Sequence, residues 1–122
     1  MNTAVKTDNI SKTYPGVLAN SNVSITINAS SIHAVVGENG AGKSTLMKIL
    51  YGMIKPDSGN IEIFNNSASI SSPKEAINLG IGMVHQHFML AKNLTVLENI
   101  ILGIDRASLK NLGLGKYKKQ IQ

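Results

Sequence analysis

Apolar and polar positions along this chain follow three patterns. Residues 23–27 and 61–64 alternate apolar with polar, the period of a strand that buries one face. Residues 32–36 and 81–85 are instead short runs dominated by apolar residues, which predict strands buried on both faces. Leu46, Ile49 and Leu50 stand at helical spacing, so residues 43–51 predict a helix that stops at Gly52. Residues 4–10 read as a first strand, followed by a turn at Tyr14, Pro15 and Gly16. A second turn is predicted at residues 55–59 by their Lys-Pro-Asp-Ser-Gly order.

Two further helices announce themselves by their starts. Ser72, Pro73 and Glu75 supply an N-cap, a proline at the first helical position and the acid of a capping box. That helix is short and ends near Gly80. Thr95 and Glu98 repeat the capping box and open a helix through about Leu102, with Gly103 as its stop. From Asp105 onward periodicity is weak, and Gly113 and Gly115 interrupt it. Strands on either side of short helices predict an α/β core with an antiparallel β portion beside it.

The segment that joins the apolar run 32–36 to the helix at 43 carries chemistry. Gly37, Glu38, Asn39, Gly40, Ala41, Gly42, Lys43, Ser44 and Thr45 match G-x-x-x-x-G-K-[ST]. A triphosphate needs many hydrogen-bond donors packed around a small, highly charged group. Glycines let the backbone approach and adopt positive φ, so that successive amides turn inward as an anion nest. The helix that follows aims its positive end at the same point. Lys43 is then placed to reach the β- and γ-phosphates, and the Ser44 hydroxyl to coordinate Mg²⁺.

Composition narrows the class. The 122 residues are 43% hydrophobic, enough for one small domain, and 16% charged. No stretch has the roughly 18 uninterrupted apolar residues of a membrane span. Residues 1–6 lack the apolar core of a signal peptide. The chain has no cysteine, hence neither a disulfide frame nor a thiolate metal site. The net charge of +5 is concentrated late, at Lys110, Lys116, Lys118 and Lys119. A nucleic-acid or anionic-lipid contact is one reading. A solvated helix face is the simpler one, because Tyr117 is the tail's lone aromatic residue and stacking partners are missing. No nucleic-acid partner is expected.

Acidic residues are sparse where catalysis would want them. A P-loop fold usually sets an acid near the nucleotide's Mg²⁺ at the end of a second core strand. Asp57 lies in a turn, Glu62 on the polar face of its strand, and Glu75 and Glu98 are accounted for as helix caps. None of these ends an apolar run. His85 and His87 stand two apart, with no third ligand candidate nearby, so they do not predict a metal site. His33 reads as a strand residue with a satisfied ring. Tyr14 is either a turn-packing aromatic or a face for a flat ligand.

The residues resemble the N-terminal part of the ATP-binding subunit of ABC transporters, and among these the importers of nucleosides and simple sugars. Two strings carry the resemblance, GENGAGKSTLMKILYGMIKPDSGNI and GIGMVHQHFMLAKNLTVLENIILG, and it extends over roughly residues 4–104. It implies an ABC-type P-loop NTPase core with an antiparallel β subdomain, incomplete at its C-terminus. Residues 1–104 would form the N-terminal portion of a nucleotide-binding domain, and residues 105–122 the truncated start of a helical region. It implies ATP and Mg²⁺ as ligands, with Gly37 to Thr45 as the phosphate loop. Tyr14 matches the residue that stacks on adenine. Gln86 matches the glutamine that reaches Mg²⁺ and the attacking water. His87, Phe88 and Met89 fall in the region that faces the membrane-spanning partner.

The implied function is an ATP hydrolase that powers import of a nucleoside or simple sugar. Its implied partners are transmembrane permease subunits, a second nucleotide-binding domain and, indirectly, an extracytoplasmic receptor. Its implied location is the cytoplasmic face of the plasma (inner) membrane, as a peripheral subunit. Family members are several-fold longer, and their signature loop, Walker B aspartate, catalytic glutamate and switch histidine all follow the segment matched here. By itself the segment is therefore expected to bind and sense nucleotide without catalysing hydrolysis. A non-catalytic nucleotide-binding module and another P-loop ATPase class are the alternatives. Ser30 and Ser31 depart from the Gly-Glu usual in the family, and Ala91 and Lys92 from Val-Pro.

Overall fold

The computed structural model describes residues 2–87 and 90–102. The chain divides into two compact units, Met1–Met83 and Val84–Gln122. In the first, β1 (Thr3–Tyr14) and β2 (Val17–Asn28) form a long antiparallel hairpin. Pro15 fixes the first φ of the turn between them, and Gly16 supplies a positive φ of 75°. Then come β3 (Ser58–Ile63) and β4 (Asn66–Ala68), giving a four-stranded antiparallel sheet of order β2-β1-β3-β4 among the described residues.

The helix α1 (Lys43–Leu50) packs against this sheet through the face its spacing predicted, with Leu46, Ile49 and Leu50 buried. They share one core with Ile10, Ile61, Ile63, Ile70 and Ala76. Thr7 is the polar residue among the largest fully buried side chains. Its Oγ1 donates to the Val23 carbonyl at 3.2 Å and accepts from the Ile25 amide at 3.0 Å, so burial leaves it satisfied. Gly52 ends the helix at φ 75°, and a Cβ there would stand 2.5 Å from the Ser72 carbonyl oxygen.

The helix α2 (Pro73–Asn78) starts as its sequence predicts. Ser72 Oγ accepts the Glu75 amide at 3.3 Å. The Glu75 carboxylate reaches one residue further back than a capping box requires, to the Ser71 amide at 2.7 Å and hydroxyl at 2.8 Å. In the second unit, α3 (Val96–Ile101) has the complete box between Thr95 and Glu98. Asn99 ties the preceding loop to this helix, accepting from the Ala91 amide at 2.9 Å and donating to the Leu94 carbonyl at 3.2 Å.

Three expectations fail. Residues 32–36 do not form a buried strand: Ile32 is 103% exposed and Val36 90%. His33 accordingly lies exposed, not in a strand. Residues 81–85 do not form one either, and Val84 is 89% exposed. Both runs have the composition of central parallel strands, which exist only when neighbours hydrogen-bond them on each side. No other described segment pairs with them, so composition alone leaves them unpaired. Phe64, expected to close its strand, instead joins Asn65 in a turn, with φ of 48° and 62°. Two consecutive positive φ values suit the tight hairpin into β4, which the sequence reading missed. The region from residue 103 on, with its lysines and the boundary drawn at 104, lies outside the described residues.

Candidate functional site

Residues 37–45 lead the chain from the exposed segment into α1. Gly40 and Gly42 take left-handed φ values of 84° and 89°. A Cβ on Gly40 would meet nothing within 4 Å, so packing does not call for glycine there. Its use is conformational, turning the backbone so that amides face one side. Gly42 is the N-cap of α1 and contributes no side-chain acceptor, and the first helical turn holds no acidic residue. The amides at the start of α1 therefore have no side-chain cap from this residue, an arrangement that suits an anion from outside the helix.

Lys43 bends back over the loop. Its Nζ donates to the Gly37 carbonyl at 2.6 Å and to the Glu38 carbonyl at 2.7 Å. The Ala41 amide donates to the same Glu38 carbonyl at 3.1 Å. Ser44 is exposed in the first turn of α1, and Thr45 beside it is half-buried. A glycine loop, an uncapped helix start and an ammonium group thus converge, a donor set that fits a polyphosphate. Among the described residues no group of three or more His, Cys, Asp or Glu is placed to hold a metal ion. Mg²⁺ suits such a site nonetheless, since it keeps several waters and takes phosphate oxygens as ligands.

The hairpin β1–β2 holds this loop from below. Lys12 pairs with Asn20 and Thr13 with Leu18, so Ala19 is an extra residue that bulges β2. The bulge brings strand and loop into contact. A Cβ on Gly42 would overlap the Ala19 carbonyl oxygen and come within 2.7 Å of Asn20 Nδ2. Asn20, only 5% exposed, donates from Nδ2 to the Gly42 carbonyl at 3.2 Å. The sequence pattern does not single out Asn20, because the alternation that marks this strand begins only at residue 23, whereas the strand itself begins at Val17.

Tyr14 stands at the end of β1, paired with Val17, and is 37% exposed. Lys12 lies 5.7 Å from the centre of its ring. Lys12 Nζ also donates to Asp57 Oδ1 at 2.8 Å, while Asp57 Oδ2 accepts the Thr13 amide at 2.7 Å. The lysine bond first, and the amide second, hold the Asp57 carboxyl below its ordinary pKa. One hairpin therefore carries Tyr14 at its tip and, on the neighbouring strand, the residues that touch the glycine loop.

Gln86 and His87 are exposed at a bend of the second unit. Phe88 and Met89 lie outside the described residues. No described helix is long and apolar enough to cross a membrane.

The family model for ABC transporters matches residues 20–122. The chain belongs to the ABC transporter family. It is 52% identical over 99 residues to a glucose import ATP-binding protein of Haloferax volcanii, covering 81% of this chain and 18% of that protein. It is 54% identical over 95 residues to a guanosine import ATP-binding protein of Bacillus subtilis, covering 78% and 19%. A nucleoside import ATP-binding protein of Lactococcus lactis is 46% identical over 119 residues, covering 98% and 24%. This ABC chain thus spans a quarter or less of the length of the curated relatives it matches. Among solved structures it resembles a nucleotide-free ATP-binding cassette from an ABC transporter, with TM-score 0.76, 33% identity and coverage of 84% of this chain and 40% of that one. It also resembles an ATP-binding cassette dimer bound to ADP and Pi, with TM-score 0.67, 33% identity and coverage of 80% and 45%. The expected P-loop fold with an antiparallel β portion is therefore correct, as is the homology to sugar and nucleoside import ATP-binding proteins.

Proposed function

We propose that this chain binds MgATP as part of the ATP-binding subunit of an importer for a nucleoside or simple sugar. The observation that carries the binding is the uncapped start of α1 beside Lys43, whose ammonium spans the glycine loop. Gly37, Glu38, Asn39, Gly40, Ala41, Gly42, Lys43, Ser44 and Thr45 would cradle the phosphates through backbone amides and the lysine. Ser44 would hold Mg²⁺, which supplies charge neutralisation between the β- and γ-phosphates. Tyr14 would stack on the base, and Gln86 would meet Mg²⁺ and the attacking water. The names of the relatives, which are for glucose, guanosine and nucleoside import, support the substrate class.

Hydrolysis is proposed for the complete assembly and not for these residues. The four described acids after residue 45 are engaged elsewhere: Asp57 with Lys12, Glu62 with Lys6 at 3.7 Å, Glu75 with Ser71, and Glu98 with Thr95. None is free to serve as the base for water. Residues 1–104 are proposed as the N-terminal portion of the nucleotide-binding domain, and 105–122 as the start of the next helical region. The proposed partners are permease subunits, a second nucleotide-binding domain and, through them, an extracytoplasmic receptor. The proposed place is the cytoplasmic face of the membrane.

Calorimetric titration of MgATP into the full polypeptide and its Lys43→Ala variant tests the site. Binding by the first and a loss of about tenfold or more in the second is expected, since hydrogen bonds to charged groups contribute about 1.5–3 kcal/mol. Equal affinities would overturn it.

A further inference from the structure

We infer that Asn20, which lies outside the glycine-loop motif, positions that loop for its phosphate ligand. The inference rests on the reading of residues 37–45 as a phosphate cradle. Asn20 Nδ2 donates to the Gly42 carbonyl at 3.2 Å. That carbonyl already accepts the Leu46 amide at 3.0 Å, so the first turn of α1 closes without Asn20. The asparagine adds a tether from sheet to loop.

The tether acts on the ligand side through peptide geometry. The Gly42 carbonyl and the Lys43 amide belong to one planar trans unit, in which C=O and N–H point in opposite directions. Anchoring the carbonyl on the Asn20 side therefore turns the Lys43 N–H to the opposite side, away from Asn20. At Gly42 itself the φ of 89° is a left-handed value that a flexible glycine need not keep. The Ala19 bulge and the Asn20 amide bracket this residue and hold it there.

Stability does not explain the choice of asparagine. Its Oδ1 is buried and has no hydrogen-bond partner among the described residues. An unmatched buried acceptor is destabilising, and an apolar side chain of similar size would avoid it. Asn20 is thus a poor strand residue and a good tether. It is a positioning residue, acting through Gly42.

The test compares the full-length polypeptide with Asn20→Leu, which keeps the branched shape, at somewhat larger volume, and removes the amide. MgATP and inorganic tripolyphosphate are titrated separately, and the unfolding midpoint is measured without ligand. The expected result is a rise of about tenfold in Kd for both ligands, the effect of losing one aimed hydrogen bond. The ligand-free midpoint is expected to stay or rise. Asn20→Ala should weaken both ligands equally as well, with a lower midpoint from its cavity. Unchanged affinities in Asn20→Leu, or a loss for MgATP alone, would overturn the tether. So would a weakening that vanishes once binding is measured well below the unfolding transition, since that is the mark of a structural role. A wild-type chain that binds neither ligand would instead overturn the phosphate cradle itself, and the tether with it.

Discussion

Gly42 has no room for a side chain, because the carbonyl oxygen of Ala19 stands where its Cβ would be. The contact exists because β2 carries one residue too many at Ala19, which pushes its backbone toward the glycine loop. Loop and hairpin are therefore one mechanical piece.

Gly42→Ala breaks that piece twice, through the positive φ and through the overlap. A loss of stability on the order of 2–4 kcal/mol is expected. Denaturant unfolding of the variant beside the wild type measures it. Gly40→Ala, with open space around the Cβ, should cost only the φ strain, about 1–2 kcal/mol.

Tyr14 gives a way to separate base from phosphate. Stacking on a base contributes about 1–3 kcal/mol by alanine substitution. Tyr14→Ala is expected to weaken MgATP by roughly that energy, while tripolyphosphate affinity stays the same. Equal weakening of both ligands would mean that Tyr14 supports the hairpin and not the base. Paired titrations decide it.

Asp57 predicts a pH dependence. Lys12, and then the Thr13 amide, lower its folded pKa below the ordinary value of 3.8. A group with a depressed folded pKa stabilises the fold fully above its unfolded value and loses that contribution as pH falls through the folded value. Asp57→Asn should therefore be less stable than wild type near neutral pH. The gap should close as pH drops below 3.8. Urea midpoints taken from pH 7 down to pH 2 test it. Glu75, lowered chiefly by the Ser71 amide, adds to the wild-type loss in the same acid window.

Ser30 occupies a left-handed conformation, φ 55°. Serine is strained there and glycine is not. Ser30→Gly is expected to raise stability by about 0.5–1 kcal/mol, with MgATP affinity unchanged. A higher thermal midpoint with an identical titration curve is the expected outcome.

Some features were legible because their causes are local. The glycine-loop motif is a contiguous string whose φ requirements glycine itself announces. The buried face of α1 follows from three residues at helical spacing. The starts of α2 and α3 are side chains bonding to backbone within four residues, so Ser72 and Thr95 were readable as caps.

Strands were read less well. The runs 32–36 and 81–85 looked like strands by composition and pair with nothing described, whereas Val17–Asn28 continues through the polar residues 20–22. A strand is defined by its neighbour's hydrogen bonds, and the neighbour is remote in sequence.

By itself, then, the sequence determined the phosphate-binding motif, the helix that presents it and the family to which the chain belongs. Each depends on residues a few positions apart. Only the tertiary structure decided that Ala19 and Asn20 grip Gly42 from 22 or more residues away, and that Asp57 clips the strand bearing Tyr14. Those contacts follow from sheet register, and register shifts at irregularities, the Ala19 bulge among them, that no local pattern marks.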